Sequence, residues 1–429
     1  MITRQFIKTV QDNTKEREPF NRELLEYRQN EDLYPLIHDI GKSLEILEGI
    51  EFLGCSIEKN NKFFDNKAGI TKEYNIEENR FKIIKMSFQL SHKSDTKKVE
   101  LTLYYPELID GQYFLINGCR YTPVLQLVDS ECYSTNVGIT LKTSLMPIKF
   151  VGEKAILADI NNEINMKTKM IKLELFKNKI NIFHYFFAKM GIDETLKYFK
   201  LANDNESYIL IDEEPITDSC YSFKISSFNA YINVWKEWFD RDRDNNAIII
   251  ATLINAFKGK RNIEKINELE YWKRQLGSNF TKNNSSFLEK SQSIISSLER
   301  LLDDTTKRNL RIDPEDKEDV YAVLRWMMIN YRDIYNIDNM NLANKRLRIN
   351  EYLLYDLIRY FSKQVYRIIN SKNMSIKKLN TVFSNIKKEF LIKSIARCDQ
   401  VRYSNQVNTL DIFSNLKGTV GGRACATLV

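Results

Sequence analysis

The sequence predicts an α+β protein with a β-rich N-terminal part, a helical middle and a basic, helical C-terminal part. Three observations lead there. Between Glu51 and about Gly152, apolar residues fall in short alternating or continuous runs divided by turn residues, the pattern of strands. From Phe228 onward they recur at helical spacing over longer stretches. Residues 341–429 hold 16 lysines and arginines against 5 acids, a net +11, which leaves −4 for the rest of a chain whose total is +7.

In chain order, Leu24, Leu25, Leu33, Leu36, Ile37, Ile40, Leu44 and Leu47 predict a helix over 22–49, broken or restarted at Pro35. Strands are expected at Phe81–Phe88, Val99–Tyr105, Tyr113–Asn117, Val124–Val128, Ile139–Thr143 and Ile148–Val151. Pro106, Asp110-Gly111 and Asn117-Gly118 mark turns between them. Ala155–Met170 stays open between helix and strand, Phe183–Ala202 leans helical, and Tyr208–Asp212 reads as a strand. Phe228–Leu302 reads as mostly helical, with Ile249–Phe257, Ile263–Leu276 and Phe287–Leu302 separated by polar breaks. Glu318–Tyr331, Glu351–Ile369 and Ser375–Ala396 follow as amphipathic helices, the last with Ser375 placed to cap it.

A chain of 429 residues has the length of about two to three domains. A hydrophobic share of 43% can fill a sizeable core and excludes a disordered protein. No run approaches the roughly 18 apolar residues of a membrane helix, and Met1–Phe6 starts no signal peptide. The six cysteines show no CxxC and no metal-ligand spacing, and the three histidines lie far apart, which fits free thiols in a reducing cytoplasm. A one-sided basic region is the electrostatic footprint of a polyanion partner, although a solvated helix face has the same composition.

Motifs of stand-alone catalysis are missing. Asp240-Arg241-Asp242-Arg243-Asp244 alternates three carboxylates as a metal site would. A calcium loop opening there needs Gly and Glu where this chain has Asn245 and Ala251, and the interleaved arginines can neutralise the aspartates. Lys258-Gly259-Lys260 lacks the glycine-rich lead of a phosphate loop, and His184 sits in the apolar run Ile182–Phe187, the setting of a packed histidine. Neither catalytic nor metal-binding residues are assigned.

Three segments carry more. The first is Gly111-Gln112-Tyr113-Phe114-Leu115-Ile116-Asn117-Gly118, continuing to Gln126-Leu127-Val128-Asp129-Ser130, a strand, an Asn-Gly turn and a returning strand. The second is Asp338-Asn339-Met340-Asn341-Leu342-Ala343-Asn344-Lys345-Arg346-Leu347-Arg348, read as a cluster at the mouth of the helix that follows, suited to phosphates. The third runs from Arg402-Tyr403-Ser404-Asn405-Gln406-Val407-Asn408-Thr409-Leu410 to Ser414-Asn415-Leu416-Lys417.

In order and separation these segments resemble the β subunit of multisubunit DNA-dependent RNA polymerases. Cys119-Arg120-Tyr121 stands where that family has a Glu-Arg pair, and Asp129 stands where a cation is common. Thr409, Asn415 and Gly418 replace a proline, a histidine and an arginine, which softens the rifamycin-pocket wall. The resemblance covers about 105–425 and is nearly blank over 155–330. The chain stops before the catalytic-face half of a β subunit, so it looks like the N-terminal half of a split β subunit of the giant, phiKZ-like bacteriophage type.

This resemblance implies a protrusion over 1–150, an inserted lobe over 151–335, and a second protrusion part with the start of the fork over 336–429. It places Lys345, Arg346, Arg348, Arg402 and Lys417 on phosphates of the RNA–DNA hybrid, with Gln406, Asn408 and Asn415 adding neutral hydrogen bonds. Catalytic Mg²⁺ would sit on a β′-type partner chain. The implied partners are a β C-terminal-half chain, split β′-type chains, a promoter-specificity subunit where the enzyme uses one, template DNA and nascent RNA. The setting would be the cytoplasm of the infected cell, or the virion. The chain alone is expected to be inactive. A stand-alone basic nucleic-acid-binding phage protein is the competing class, and a nuclease using Asp240–Asp244 a remote third.

Overall fold

The computed structural model describes residues 33–59, 81–106, 108–109, 113–116, 119–201, 208–216, 218–225, 230–258, 264–339, 341–348, 355–369, 375–397, 401–403 and 419–421. The protein is α+β, with antiparallel sheets and helices on one continuous apolar core that draws on residues from Ile37 to Val401.

Helix α1 (Leu33–Ser43) opens the described chain, with Pro35 in its first turn, where a missing N–H costs nothing. Strands β1 (Ile50–Lys59), β2 (Phe81–His92) and β3 (Asp95–Pro106) form an antiparallel three-stranded sheet. Strand β2 alternates buried and half-buried residues along most of its length, the pattern of a sheet with one face on the core. Next come β4 (Leu108–Ile109), β5 (Tyr113–Ile116), β6 (Cys119–Pro123) and β7 (Leu125–Asp129). A five-stranded antiparallel sheet then forms from β8 (Cys132–Thr135), β9 (Gly138–Lys142), β10 (Pro147–Ala158), β11 (Asn165–Leu175) and β12 (Asn178–Asn181). The stretch left open between helix and strand thus resolves into the ends of β10 and β11. The expected domain boundary between 150 and 151 falls inside β10, whose ladder with β11 runs straight through it.

Helices α2 (Ile182–Met190) and α3 (Ile192–Tyr198) follow. Helix α2 is capped by Asn181, whose side chain accepts from Phe183 N, and it is apolar nearly all round because helices surround it. Phe187 packs 4.7 Å from Trp272, ring centre to ring centre, and both are fully buried. His184 Nε2 lies 2.9 Å from Ala256 O and its ring packs on Trp272, so it is a packed histidine.

One stretch departs from expectation. Phe228–Leu302 was predicted mostly helical, yet β15 (Ala230–Trp235) is the central strand between β13 (Ile209–Asp212) and β14 (Cys220–Ile225). Asn233 hid it, since a polar residue in the middle spoils the apolar run. The structure buries Asn233 completely and satisfies it: Ser222 Oγ (2.6 Å) and Ile216 N (3.1 Å) donate to its carbonyl, and its amide donates to Glu214 O (3.1 Å).

The helical middle comprises α4 (Lys236–Arg241), α5 (Arg243–Phe257), α6 (Leu269–Ser278), α7 (Phe287–Glu299), α8 (Asp304–Asn309), α9 (Val320–Ile329) and α10 (Tyr331–Tyr335). Among the described residues no helix is long and apolar enough to cross a membrane. Strand β16 (Lys345–Arg348) precedes α11 (Tyr355–Ile369), α12 (Ile376–Ser384) and α13 (Phe390–Ile395). Ser375 caps α12, accepting from Lys378 N at 3.4 Å. The single helix expected over Ser375–Ala396 is two. The break after Asn385 lets Lys388 O accept from Tyr104 N (2.8 Å), closing the edge of β3. Strands β17 (Val401–Tyr403) and β18 (Thr419–Gly421) end the described chain.

Candidate functional site

Strands β6 and β7 are nearly one strand, with only Val124 between them, and they anchor two small sheets ordered β17-β6-β5-β4 and β16-β7-β18. Phe114 pairs with Tyr121 and Ile116 with Cys119, so β5 and β6 form the expected hairpin pair, while the Asn117-Gly118 turn lies outside the described residues. Strand β16 pairs antiparallel with β7, setting Lys345 opposite Asp129 and Arg348 opposite Gln126. Strand β17 pairs antiparallel with β6, and β18 parallel with β7. Backbone hydrogen bonding thus brings to one strand pair the hairpin, the 338–348 segment and both flanks of the 401–417 segment.

The basic end of the 338–348 cluster is strand β16, and α11 is described from Tyr355; residues 349–354, where the expected helix mouth falls, lie outside the described residues. Lys345 Nζ forms an ion pair with Asp129, the two side chains being 1% and 12% exposed. Arg346 Nε lies 2.9 Å from Glu131 Oε1, which also accepts from Asn309 Nδ2 at 3.1 Å. The amides of the segment also bond within the protein. Asn344 Nδ2 donates to Asp338 O (2.8 Å), and Asn339 Nδ2 donates to Ser134 O and Oγ (2.9 Å each). Lys345 and Arg346 therefore hold β16 to the β7–β8 region, and their charges are answered inside the protein. Arg348 is on β16, where its backbone register is set.

Arg402 is exposed, and no ion pair joins it among the described residues. Its neighbour Tyr403 is 59% exposed and meets Tyr121 edge to face, ring centres 5.9 Å apart. Register sets Phe114, Tyr121 and Tyr403 in a row on one face of the sheet, from fully buried to exposed. Arg120 and Arg402 belong to the opposite face. Arg120 also lies over the Tyr113 ring at 4.9 Å. Gln406, Asn408, Asn415 and Lys417 lie outside the described residues.

Sequence reasoning missed the acids. Asp129, read as a departure in charge, is the partner of Lys345, and Glu131 was not singled out. Asp129, standing where a cation is common, was the available signal.

The aspartate cluster is accounted for residue by residue. Asp240 accepts from Tyr221 Oη (3.2 Å) and pairs with Arg243 (3.2 Å), Asp242 caps α5, and Asp244 pairs with Arg332 (2.7 Å). Among the described residues no group of three or more His, Cys, Asp and Glu is placed to hold a metal ion.

Fold and site define an α+β protein in which three distant polar segments share one pair of small sheets. The chain belongs to the family of non-virion RNA polymerase subunits, whose description matches residues 1–428. It is thus a subunit of a phage RNA polymerase, its partners include the other polymerase subunits, and the assembly is a transferase. The designation points to an enzyme of the infected cell rather than a virion component. No curated protein matches the chain.

Proposed function

We propose that this subunit is the N-terminal half of a split β subunit, lining the DNA channel and the RNA–DNA hybrid while partner chains carry out nucleotidyl transfer. The observation that carries this reading is the joining of three ordered polymerase-like segments on the β6–β7 strand pair. Residues 336–429 would then complete a protrusion begun by the N-terminal strands, with 151–335 as the inserted lobe. Arg402, the flanking Gln406, Asn408, Asn415 and Lys417, and Arg348 would supply phosphate and backbone contacts. Lys345 and Arg346 would serve that surface by holding β16 in place. Asp240, Asp242 and Asp244 are engaged with their own neighbours, and in this reading Mg²⁺ is held by a β′-type chain.

One observation favours a second reading. Lys345 and Arg346, two of the three cations of the most polymerase-like segment, pair with Asp129 and Glu131. An accessory subunit docked beside the catalytic chains would need no hybrid-facing cations there.

Photo-crosslinking in the assembled polymerase separates the two. Probes inside the hybrid that map to 401–417 would support the β reading. Crosslinks arising only from DNA outside the hybrid would replace it with the accessory reading. Purification of a transcribing enzyme without this chain would overturn both, and nucleotide incorporation by the isolated chain would contradict its non-catalytic role.

A further inference from the structure

Strands β10 and β11 pair continuously from Lys149 opposite Glu174 to Ala158 opposite Asn165. Strand β9 covers β10 only as far as Val151, and β12 covers β11 only from Lys172. Gly152–Ala158 and Asn165–Ile171 therefore leave the five-stranded sheet as a two-stranded ribbon, roughly 20 Å long.

The ribbon is braced at both ends. At its base Gly152 lies so close to Tyr331 that a Cβ would meet the phenol oxygen at 2.6 Å, and Lys169 Nζ is 3.5 Å from the centre of the Tyr335 ring. At its tip Asp159 accepts from Ile164 N (2.7 Å), Ile160 N donates to Ser222 O (3.0 Å) and Glu163 pairs with Lys236 (2.9 Å). Between the ribbon and α5 lies a hollow of about 270 Å³, lined by Lys154, Ala155, Ile156, Leu157 and Met170 and by Ala251 and Ile254 of the helix.

By register one face of the ribbon carries Lys154, Ile156, Lys167 and Lys169 and no acid. Lys154 and Lys167 are exposed, and Ile156 is 73% exposed. Lys154 and Lys169 are direct cross-strand partners, a placement of like charges that weakens a ribbon. Neither Lys154 nor Lys167 has an ion-pair partner among the described residues. A braced ribbon with uncompensated lysines around an open isoleucine suits a polyanion with apolar groups between its charges. Duplex DNA has that chemistry, and its major groove, about 12 Å wide, admits a two-stranded ribbon.

We infer that the Gly152–Ile171 ribbon is a duplex-DNA contact of this subunit, with Lys154 and Lys167 on phosphates and Ile156 turned to the groove. The inference rests on the reading that the subunit touches nucleic acid, and it adds a second place of contact, away from Arg402.

The test measures binding of a fluorescein-labelled duplex to the assembled polymerase across a salt series. Lys154→Ala with Lys167→Ala is expected to weaken binding about tenfold or more and to lower the log–log salt slope by about 2. Ile156→Ser is expected to weaken binding with the slope unchanged. Neither variant should melt below the parent, because all three side chains are exposed, and Lys97→Ala with Lys98→Ala is the control. Equal affinity and slope for the ribbon variants and the parent would overturn the ribbon contact while leaving the nucleic-acid reading intact. No binding by the parent polymerase would overturn both. Unchanged DNA binding with loss of a partner subunit would assign the face to protein instead.

Discussion

Lys345 and Asp129 face each other across β16 and β7 and form an ion pair almost wholly enclosed by protein, although 215 residues lie between them in sequence. Charges in such a place hold together only as a pair. Removing one partner leaves the other buried and uncompensated, a loss of about 3–5 kcal/mol. Lys345→Met or Asp129→Leu alone should therefore lower the denaturant midpoint sharply, and the double variant should recover most of the loss. Additive losses in this double-mutant cycle would show that the two charges do not depend on each other.

Two buried phenols give an alkaline signature. Tyr185 and Tyr321 Oη have no hydrogen-bond partner among the described residues. Burial raises both phenols well above the ordinary 10.0, with Glu299 adding to the effect at Tyr321. Above pH 10 the unfolded chain ionises while the folded chain keeps its protons, so stability is full below that pH and falls as pH rises through it. Tyr185→Phe and Tyr321→Phe should each raise stability by about 1 kcal/mol at neutral pH, since an unpartnered hydroxyl is removed. Each should also flatten the alkaline loss in melts recorded across pH.

Lys290 gives the opposite slope. Burial pulls its pKa below 10.5, and the charge of Lys378 lowers it further. Between the folded value and 10.5 the unfolded chain binds the proton that the folded chain has shed, so this residue's contribution to stability rises with pH. Lys290→Met should remove that rise, which the difference between parent and variant melts isolates. A pH-independent difference would contradict the burial effect.

Burial also pushes the Cys132 thiol up to about 12, which keeps it neutral and unreactive at physiological pH. Mass spectrometry after brief alkylation should find Cys132 unmodified in the native protein and fully modified in denaturant. Native labelling at the rate of a free thiol would show that β8 opens readily.

Legibility in the sequence followed the range of the interaction. The expected strands were readable locally, Phe81–Phe88 from its alternation and Ile139–Thr143 as a short apolar run buried on both faces. The Ser375 cap was readable because capping is settled within one turn. Strand β15 was not, because Asn233 is satisfied by Ser222, Ile216 and Glu214, which alternation along one strand cannot show. The pairing of Lys345 with Asp129 and of Arg346 with Glu131 was not legible for the same reason.

The sequence by itself determined the α+β class, most of the elements, the basic bias of the C-terminal part and the polymerase character, since periodicity, capping and motif order are properties of neighbouring residues. Tertiary structure alone decided that β16, β17 and β18 gather on β6 and β7, that two cations are neutralised there, and that β10 and β11 leave the sheet as a lysine-faced ribbon. Those outcomes depend on which distant strands share hydrogen bonds, and strand partners are chosen by the packing of the whole core.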